Sequence, residues 1–277
     1  MKTIRICINS AGRAGDVKTL KQLPPSWKKF VTIAVPHDQY KAYKSKTDWN
    51  VERIHSSVPK FVSSQRQYMI EKCKEDYFCI MDDDLSFMTR NSDMKLKKSN
   101  HKQMNQMLKC MMQNLKEFPI VGISTRLGNN RVEEDYADIT RTTRFFAMDR
   151  KVFKKVGATM APFEPFCMYD FHIVLSFLEK GYPNRVIYKY AQGDIGGSNA
   201  KGGCSVYRTQ ALLEKVSNWL AKKHPGCVTV KRKRTKGSWQ GFEKDADGYI
   251  TRTDVICHWK KAYKPKRSKT SGLNKFM

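Results

Sequence analysis

Tyr77–Asp84 reads YFCIMDDD: five apolar residues, then three aspartates in a row. A short apolar run of this kind, rich in aromatic and branched residues, predicts a buried strand over Tyr77–Met81. Three adjacent carboxylates at its carboxyl end repel one another unless something cationic neutralises them. A divalent Mg2+ or Mn2+ carrying a diphosphate on its far side does this with oxygen ligands alone. Asp82 and Asp84 are alternate residues, so both can reach one ion across the strand-end turn. An acidic loop or a helix cap is the plainer reading of a D-x-D triplet. The buried strand before it favours the metal, because open α/β sheets bind ligands beyond the carboxyl ends of their strands.

The segments before this strand alternate in character. Thr3–Ile8, Phe30–Val35 and Val51–Ile54 read as strands. Asp16–Leu23, Gln39–Lys46 and Ser63–Lys74 read as helices, the last opening on two serines that suit an N-cap. A β-α-β-α-β-α-β order predicts an α/β fold with a mixed, mostly parallel, Rossmann-like sheet flanked by helices. Beyond the aspartates, Thr89–Lys102 is polar and basic and reads as a loop. Gln103–Phe118 reads as a methionine-rich helix facing the core. Ile120–Ser124, Arg144–Met148 and Val186–Tyr190 read as strands, and Asp149–Val156, Tyr169–Lys180 and Thr209–Lys223 as helices. The rest is strand-like and basic.

The charge is lopsided: 52 Lys and Arg against 26 Asp and Glu, a net of +26 over 277 residues. Such an excess favours polyanionic partners, nucleic acid first. It is concentrated in Val228–Met277, which holds fourteen Lys and Arg against four Asp and Glu. Lys231, Arg232, Lys233, Arg234, Lys236, Lys264, Lys266 and Arg267 are the candidate nucleic-acid contacts, interleaved with Trp239, Phe242, Tyr249, Trp259 and Tyr263. Cations beside planar side chains suit phosphate contact and base stacking; core packing is the competing reading of each aromatic. The eight cysteines show no C-x-x-C pair and no zinc spacing, so they read as reduced thiols. No apolar run spans a bilayer and the start reads as a first strand rather than a leader, so a cytoplasmic protein without a membrane partner is expected, in the host's cytoplasm if the chain is viral.

Three further stretches carry chemistry. After the first strand, Ser10, Gly12, Arg13 and Gly15 form a turn in which backbone N–H groups can approach an anion and Arg13 can pair with a phosphate or stack on a base; an ordinary βα loop is the alternative. Arg66, on the helix before the aspartates, is either a second phosphate contact or part of a solvated helix face. Asp194–Cys204 (DIGGSNAKGGC) is a glycine-rich stretch without the G-K-[ST] ending of a P-loop, hence a lid or a connector.

The opening string Ile8–Leu20 (INSAGRAGDVKTL), the D-x-D, Arg144–Arg150 (RFFAMDR), the Tyr169-Asp170-Phe171 region and Gly202-Gly203-Cys204 together resemble the TET/JBP-associated glycosyltransferases, the phage and kinetoplastid group that includes the base J glucosyltransferase. The resemblance implies a GT-A fold over 1–227, with a nucleotide-sugar half (1–125) and an acceptor half (126–227), and a basic segment (228–277) packed on the same domain and contacting DNA. It implies a UDP-sugar donor, held by Ser10, Arg13, Asp16, Arg66, Asp82 and Asp83, and an Mn2+ or Mg2+ ion held by Asp82 and Asp84. The acceptor it implies is the hydroxymethyl group of 5-hydroxymethylcytosine or 5-hydroxymethyluracil in double-stranded DNA. Asp170 is the implied general base, although many GT-A enzymes show Glu-Asp where this chain has Tyr169-Asp170. His172 could help orient the site, with core packing as its alternative. GT-A enzymes often add a late histidine to the metal, for which His224 and His258 are candidates.

A GT-A enzyme acting on a protein, glycan or lipid is the alternative within the same chemistry. A non-catalytic nucleic-acid-binding protein is the alternative outside it, and the D-x-D after a buried strand argues against that reading. A two-metal nuclease or nucleotidyltransferase would need carboxylates from separate strands, and no such second pair is evident.

Overall fold

The computed structural model describes residues 2–129, 132–195, 203–236 and 242–265. Its strands in chain order are β1 (Ile4–Asn9), β2 (Val31–Val35), β3 (Asn50–Arg53), β4 (Tyr77–Met81), β5 (Leu85–Arg90), β6 (Leu96–Lys98), β7 (Ile120–Thr125), β8 (Tyr136–Asp138), β9 (Phe145–Asp149), β10 (Asn184–Asp194), β11 (Val228–Lys236) and β12 (Tyr249–Cys257). Its helices are α1 (Tyr40–Lys44), α2 (Val62–Lys72), α3 (His101–Asn114), α4 (Arg150–Lys155), α5 (Tyr169–Glu179), α6 (Gln210–Lys223) and α7 (Trp259–Ala262).

Ten strands form one sheet in the order β3-β2-β1-β4-β9-β7-β10-β5-β6, with β8 added beside β10. β5, β8 and β9 run against the others, so the sheet is mixed and mostly parallel. The strands alternate with a period of two between two cores. Cys7, Phe78, Ile80, Phe146 and Met148 face α2, α5 and α6, whereas Ile6, Ile8, Tyr77, Cys79, Met81, Phe145 and Ala147 face α3. Burial of each large apolar side chain contributes about 1.5–3 kcal/mol. The alternation therefore fixes which way β4 faces, and with it where the aspartates after it emerge. Met104, Met107 and Met111 of α3 are fully buried, as core filler should be. The eight cysteines are all free thiols.

The structure departs from the sequence reading in several places. Thr89–Lys102 is not a loop: β5 and β6 make a hairpin, and α3 opens at His101 with a capping box between Asn100 and Gln103. Several polar side chains around the hairpin are hydrogen-bonded in the interior. Thr89 and Ser99 hydroxyls bond at 2.7 Å in a buried position, and Arg90 donates to the Met94 and Asn129 carbonyls. Asp16–Leu23 shrinks to a 3-10 turn over Lys18–Gln22. The strand expected at Val186–Tyr190 runs over Asn184–Asp194, with its register against β7 shifting between Ile187 and Ala191. β11 and β12 form a separate two-stranded ribbon packed on α6, and α7 packs on α5.

His172 and His224 belong to the core. His172 Nδ1 lies 2.8 Å from His224 Nε2, and His224 Nδ1 lies 3.0 Å from Glu179 Oε2, beside the rings of Phe166 and Trp219. Neither histidine joins the aspartates. Burial, with His224 and Lys223 adding to it, pushes the His172 imidazole from its ordinary 6.5 down to about 3. A folded value below the unfolded one means that, from pH 6.5 downward, the unfolded chain takes a proton that the folded chain refuses. Stability from this residue is therefore complete above pH 6.5 and is lost toward pH 3, at up to about 1.4 kcal/mol per pH unit. Urea unfolding between pH 7.5 and 4.5 should show this slope, and His172→Gln should flatten it. An equal slope in the variant would place the acid sensitivity elsewhere.

Candidate active site

The chain order around β1 sets the position of the site. β2 lies on one side of β1 and β4 on the other, so successive crossovers depart in opposite directions and leave a crevice beyond the carboxyl ends of β1 and β4. The acid turn Asp82–Asp84 fills the floor of this crevice. Thr19 fastens it: the Thr19 hydroxyl donates to the Asp82 carbonyl at 2.8 Å and accepts the Leu85 N–H at 2.8 Å, and the Thr19 N–H donates to the Asp83 carbonyl. Gln22 adds bonds to Leu85 and Phe87. The Asp82 and Asp83 carbonyls are thereby held, and the three carboxylates are left to find charged partners.

Each has one. Arg66 donates to Asp82 Oδ1 at 2.6 Å, also donates to Asn9 Oδ1 and the Tyr169 hydroxyl, and is only 1% exposed. The solvated-face reading of Arg66 is therefore overturned: burial works against its charge, and Asp82 more than offsets that. Arg13 donates to Asp83 and, at 3.2 Å, to Asp84 Oδ2. Ser10 Oγ bonds Asp83 Oδ2 at 2.5 Å and the Tyr43 hydroxyl at 2.9 Å. Tyr43 also accepts the Arg13 N–H, and Gln39 accepts the Gly12 N–H at 2.7 Å. Gly12 and Gly15 hold left-handed backbone, φ +71° and +82°, which suits glycine. Burial pushes the Asp83 carboxyl up to about 6, against the Ser10 bond and Arg13, while Asp84 and Asp82 add to the rise.

Asp194, at the end of β10, is the acid that sequence reasoning missed as a separate entity. It pairs with Leu85 across the β10–β5 ladder, and the next N–H, that of Ile195, donates to the Asp84 carbonyl at 2.7 Å. Burial raises its carboxyl above the ordinary range. Arg144, 2.7 Å away, opposes the rise, and Asp84 and Asp82 reinforce it. Its only sequence signal was its place at the head of the glycine-rich stretch. Positions 196–202 of that stretch lie outside the described residues. Asn9, Thr19, Tyr43 and Arg144 were likewise missed. Asn9 Nδ2 is buried with no hydrogen-bond partner.

Tyr169 and Asp170 open α5. Tyr169 stacks on Arg66, 5.1 Å from guanidinium carbon to ring centre, and so ties α5 to the acid turn. Asp170 is 7% exposed and receives two bonds on one oxygen, Oδ2, from Arg141 at 3.0 and 2.8 Å. Met168 and Arg144 both carry left-handed backbone, φ 62° at each, although neither is glycine. Such strain persists where the surroundings over-determine it and tends to cluster at functional sites. Asp16, by contrast, sits on the surface and pairs with Lys21 at 2.7 Å. His258 bonds Thr229 on the ribbon.

Among the described residues no three His, Cys, Asp or Glu side chains form a ready-made metal cage. The donor set nonetheless fits Mg2+ or Mn2+. Asp82 and Asp84 offer hard oxygen ligands only, and a guanidinium already stands against the turn as a cation. An ion of this kind is commonly held by one or two carboxylates, with water and phosphate completing its shell.

Five of the candidate nucleic-acid residues, Lys231, Arg232, Lys233, Arg234 and Lys236, lie on β11, and three of them are ion-paired. Arg232 reaches Glu214 on α6, Lys233 lies 3.2 Å from Asp254, and Arg234 bridges Asp245 and Asp247. Lys231 makes no ion pair among the described residues, and Lys236 lies over the Tyr249 ring. Lys264 is exposed just after α7, and Lys266 and Arg267 lie outside the described residues.

Solved structures share this architecture. A mannosyltransferase from Pyrobaculum calidifontis, in complex with GDP-Man and Mn2+, is 11% identical with a TM-score of 0.51, over 80% of this chain and 64% of its own. Glucosyl-3-phosphoglycerate synthase from Mycobacterium tuberculosis, in complex with Mn2+, UDP and phosphoglyceric acid, is 10% identical with a TM-score of 0.51, over 92% of this chain and 87% of its own. The chain thus spans less than two thirds of the mannosyltransferase. At these identities the likeness establishes the fold, which is GT-A. Sequence comparison with curated proteins finds no match. Residues 4–203 match the family described as TET-Associated Glycosyltransferase. With most of its length inside that match, on a GT-A sheet whose acid turn faces the switch-point crevice, the chain belongs to the TET-associated glycosyltransferase family.

Proposed function

We propose that the chain transfers a sugar from a UDP-sugar to the hydroxymethyl oxygen of 5-hydroxymethylcytosine or 5-hydroxymethyluracil in double-stranded DNA, in the cytoplasm. The observation that carries this reading is the convergence of Asp82, Asp84 and Asp194 with Arg13 and Arg66 at the carboxyl edge of β1, β4 and β10. Acids gathered at one edge suit a cation, and the partly exposed Arg13 beside them suits a diphosphate. Structural neighbours in complex with Mn2+ and UDP or GDP-Man support the same assignment. The family and the basic ribbon favour DNA as acceptor. Among the described residues no helix is long and apolar enough to cross a membrane.

On this reading Asp82 and Asp84 would hold Mn2+ or Mg2+, and Asp194, at the same edge, would add negative charge beside them. The ion would supply positive charge to the departing diphosphate. Ser10, Arg13 and Asp83 would line the donor side, with Asp16 outside them on the surface, and Arg66, buried behind Asp82, would act on the donor through that carboxylate. The acceptor hydroxyl attacks the anomeric carbon, the bond to the diphosphate breaks, and Asp170 takes the hydroxyl proton. Arg141 occupies Oδ2 of Asp170, so Oδ1 is the oxygen placed to accept it. Lys231, Arg232, Lys233, Arg234, Lys236 and Lys264, with Lys266 and Arg267, would track the phosphate backbone.

The direct test is transfer of labelled UDP-sugars, with Mn2+, onto duplexes containing 5-hydroxymethylcytosine, 5-hydroxymethyluracil or ordinary bases only. Label on the hydroxymethylated duplexes alone is the expected result; metal-dependent UDP release without transfer would remove DNA as the acceptor. Asp84→Asn should lower transfer at least about a hundredfold, the scale of losing one electrostatic stabiliser in a water-poor site. It should also abolish the thermal stabilisation given by Mn2+ with UDP.

Two carboxylates with different roles should separate cleanly. Asp170→Asn should stop transfer while keeping Mn2+ and UDP binding, whereas Asp194→Asn should weaken Mn2+ binding itself. The reverse pattern would exchange their assignments. On the ribbon, replacing Lys231 and Lys236 with alanine should weaken duplex binding and lower its salt slope by about two, one per lost phosphate contact. UDP release should be unchanged, and a parallel loss of both would make the ribbon structural.

A further inference from the structure

The two arginines on the acid turn are not equivalent. Arg66 is fixed: it is fully buried, bonded to Asn9 and Tyr169 as well as Asp82, and carried by the packed helix α2. Arg13 is carried by the turn between Gly12 and Gly15, and its side chain keeps 18% of its surface exposed. A Cβ added at Gly12 would meet nothing within 4 Å, so this part of the turn borders open space. The Arg13 guanidinium contacts Asp83 and Asp84 together, which is where a cation shared by neighbouring carboxylates would stand.

The geometry points to Arg13 as a resident counter-cation that gives up Asp84 when a divalent ion enters and turns to the donor's diphosphate, so that ion and donor bind in concert. This rests on the metal-dependent reading above. The charges favour the exchange. Three carboxylates with Arg13 and Arg66 leave the turn one unit negative, and a divalent ion added to that set makes it positive, with Arg13 and the ion competing for Asp84. The ion alone therefore binds against Arg13. An arriving diphosphate gives Arg13 a new anionic partner at the same edge and removes the competition. By linkage the ion must strengthen nucleotide binding by the same factor by which the nucleotide strengthens ion binding.

The test uses the full chain, with Mn2+ and UDP as probes. Free Mn2+ is followed by electron paramagnetic resonance and UDP binding by calorimetry, each with and without the other. In the wild type, UDP should tighten Mn2+ binding by about fivefold or more, the usual range for coupled sites. Arg13→Gln should bind Mn2+ alone several-fold tighter than the wild type, bind UDP more weakly in saturating Mn2+, and show a smaller coupling factor than the wild type, the remainder coming from direct attraction between ion and diphosphate. Arg13→Lys keeps the charge and should leave the affinity for Mn2+ alone near that of the wild type. If Arg13→Gln keeps both the wild-type Mn2+ affinity and the coupling, the exchange is wrong and the metal reading stands. A wild-type coupling factor of one overturns the exchange without any variant. A wild type that binds no Mn2+ even in saturating UDP overturns both.

Discussion

Electrostatic repulsion among Asp82, Asp83 and Asp84 is the constraint around which the carboxyl edge of the sheet is arranged. Two like charges 4 Å apart cost about 4 kcal/mol at an effective dielectric of about 20, and this turn places three carboxylates side by side at the end of a strand with no solvent on either face. The compensating cations come from distant segments: Arg13 from the loop after β1, and Arg66 from α2. Asp194 brings a fourth negative charge to the same edge and is matched by Arg144, which stands just before β9. Asp170 is matched in turn by Arg141. The site is thus a set of acid–arginine pairs, each joining two parts of the chain. The same groups that make it chemically useful also hold its walls in register.

The pairing rests on a backbone that other residues hold in place. Thr19 and Gln22 supply the bonds that the acid turn cannot make to itself, so the loop after β1 is both a support for the turn and the carrier of Arg13. Behind the turn, Arg66 links Asp82 to Tyr169 and hence to the start of α5, where Asp170 lies. The Tyr169 hydroxyl receives the Arg66 bond, so α5 is tied to the acid turn through a neutral side chain rather than a further acid.

What could be read from the sequence was what is local. YFCIMDDD announces a buried strand and its acid turn because apolarity, length and charge all lie within eight residues. The methionines of α3 announce a core face by their spacing. Arg66 could not be resolved this way. α2 buries Ser63, Ser64, Gln65 and Arg66, polar residues that look solvated unless one knows that Asn9, Asp82 and Tyr169 converge on the last of them. Asp194 was hidden for a similar reason: its partners Arg144 and Asp84 lie 50 and 110 positions away. The β5–β6 hairpin was misread because its side chains are polar, and nothing local reveals that Thr89 and Ser99 satisfy each other in the interior. His172 and His224 look like ligands in a list of residues and are neighbours in a core only once α5 and α6 are packed.

The basic ribbon shows how far net charge can be taken. A net of +26 suggests a surface with cations to spare, yet Arg232, Lys233 and Arg234 each have an acidic partner close by. These pairs do not cancel the ribbon's use for a polyanion, because of where they lie. An exposed ion pair contributes about 0–1 kcal/mol and is screened by salt, so a phosphate can replace the carboxylate at little cost. A buried pair such as Arg66 with Asp82 cannot exchange in this way, since separating it strands a charge away from water. Exposure, more than the number of cations, therefore separates the arginines that hold the fold from those free to meet a ligand.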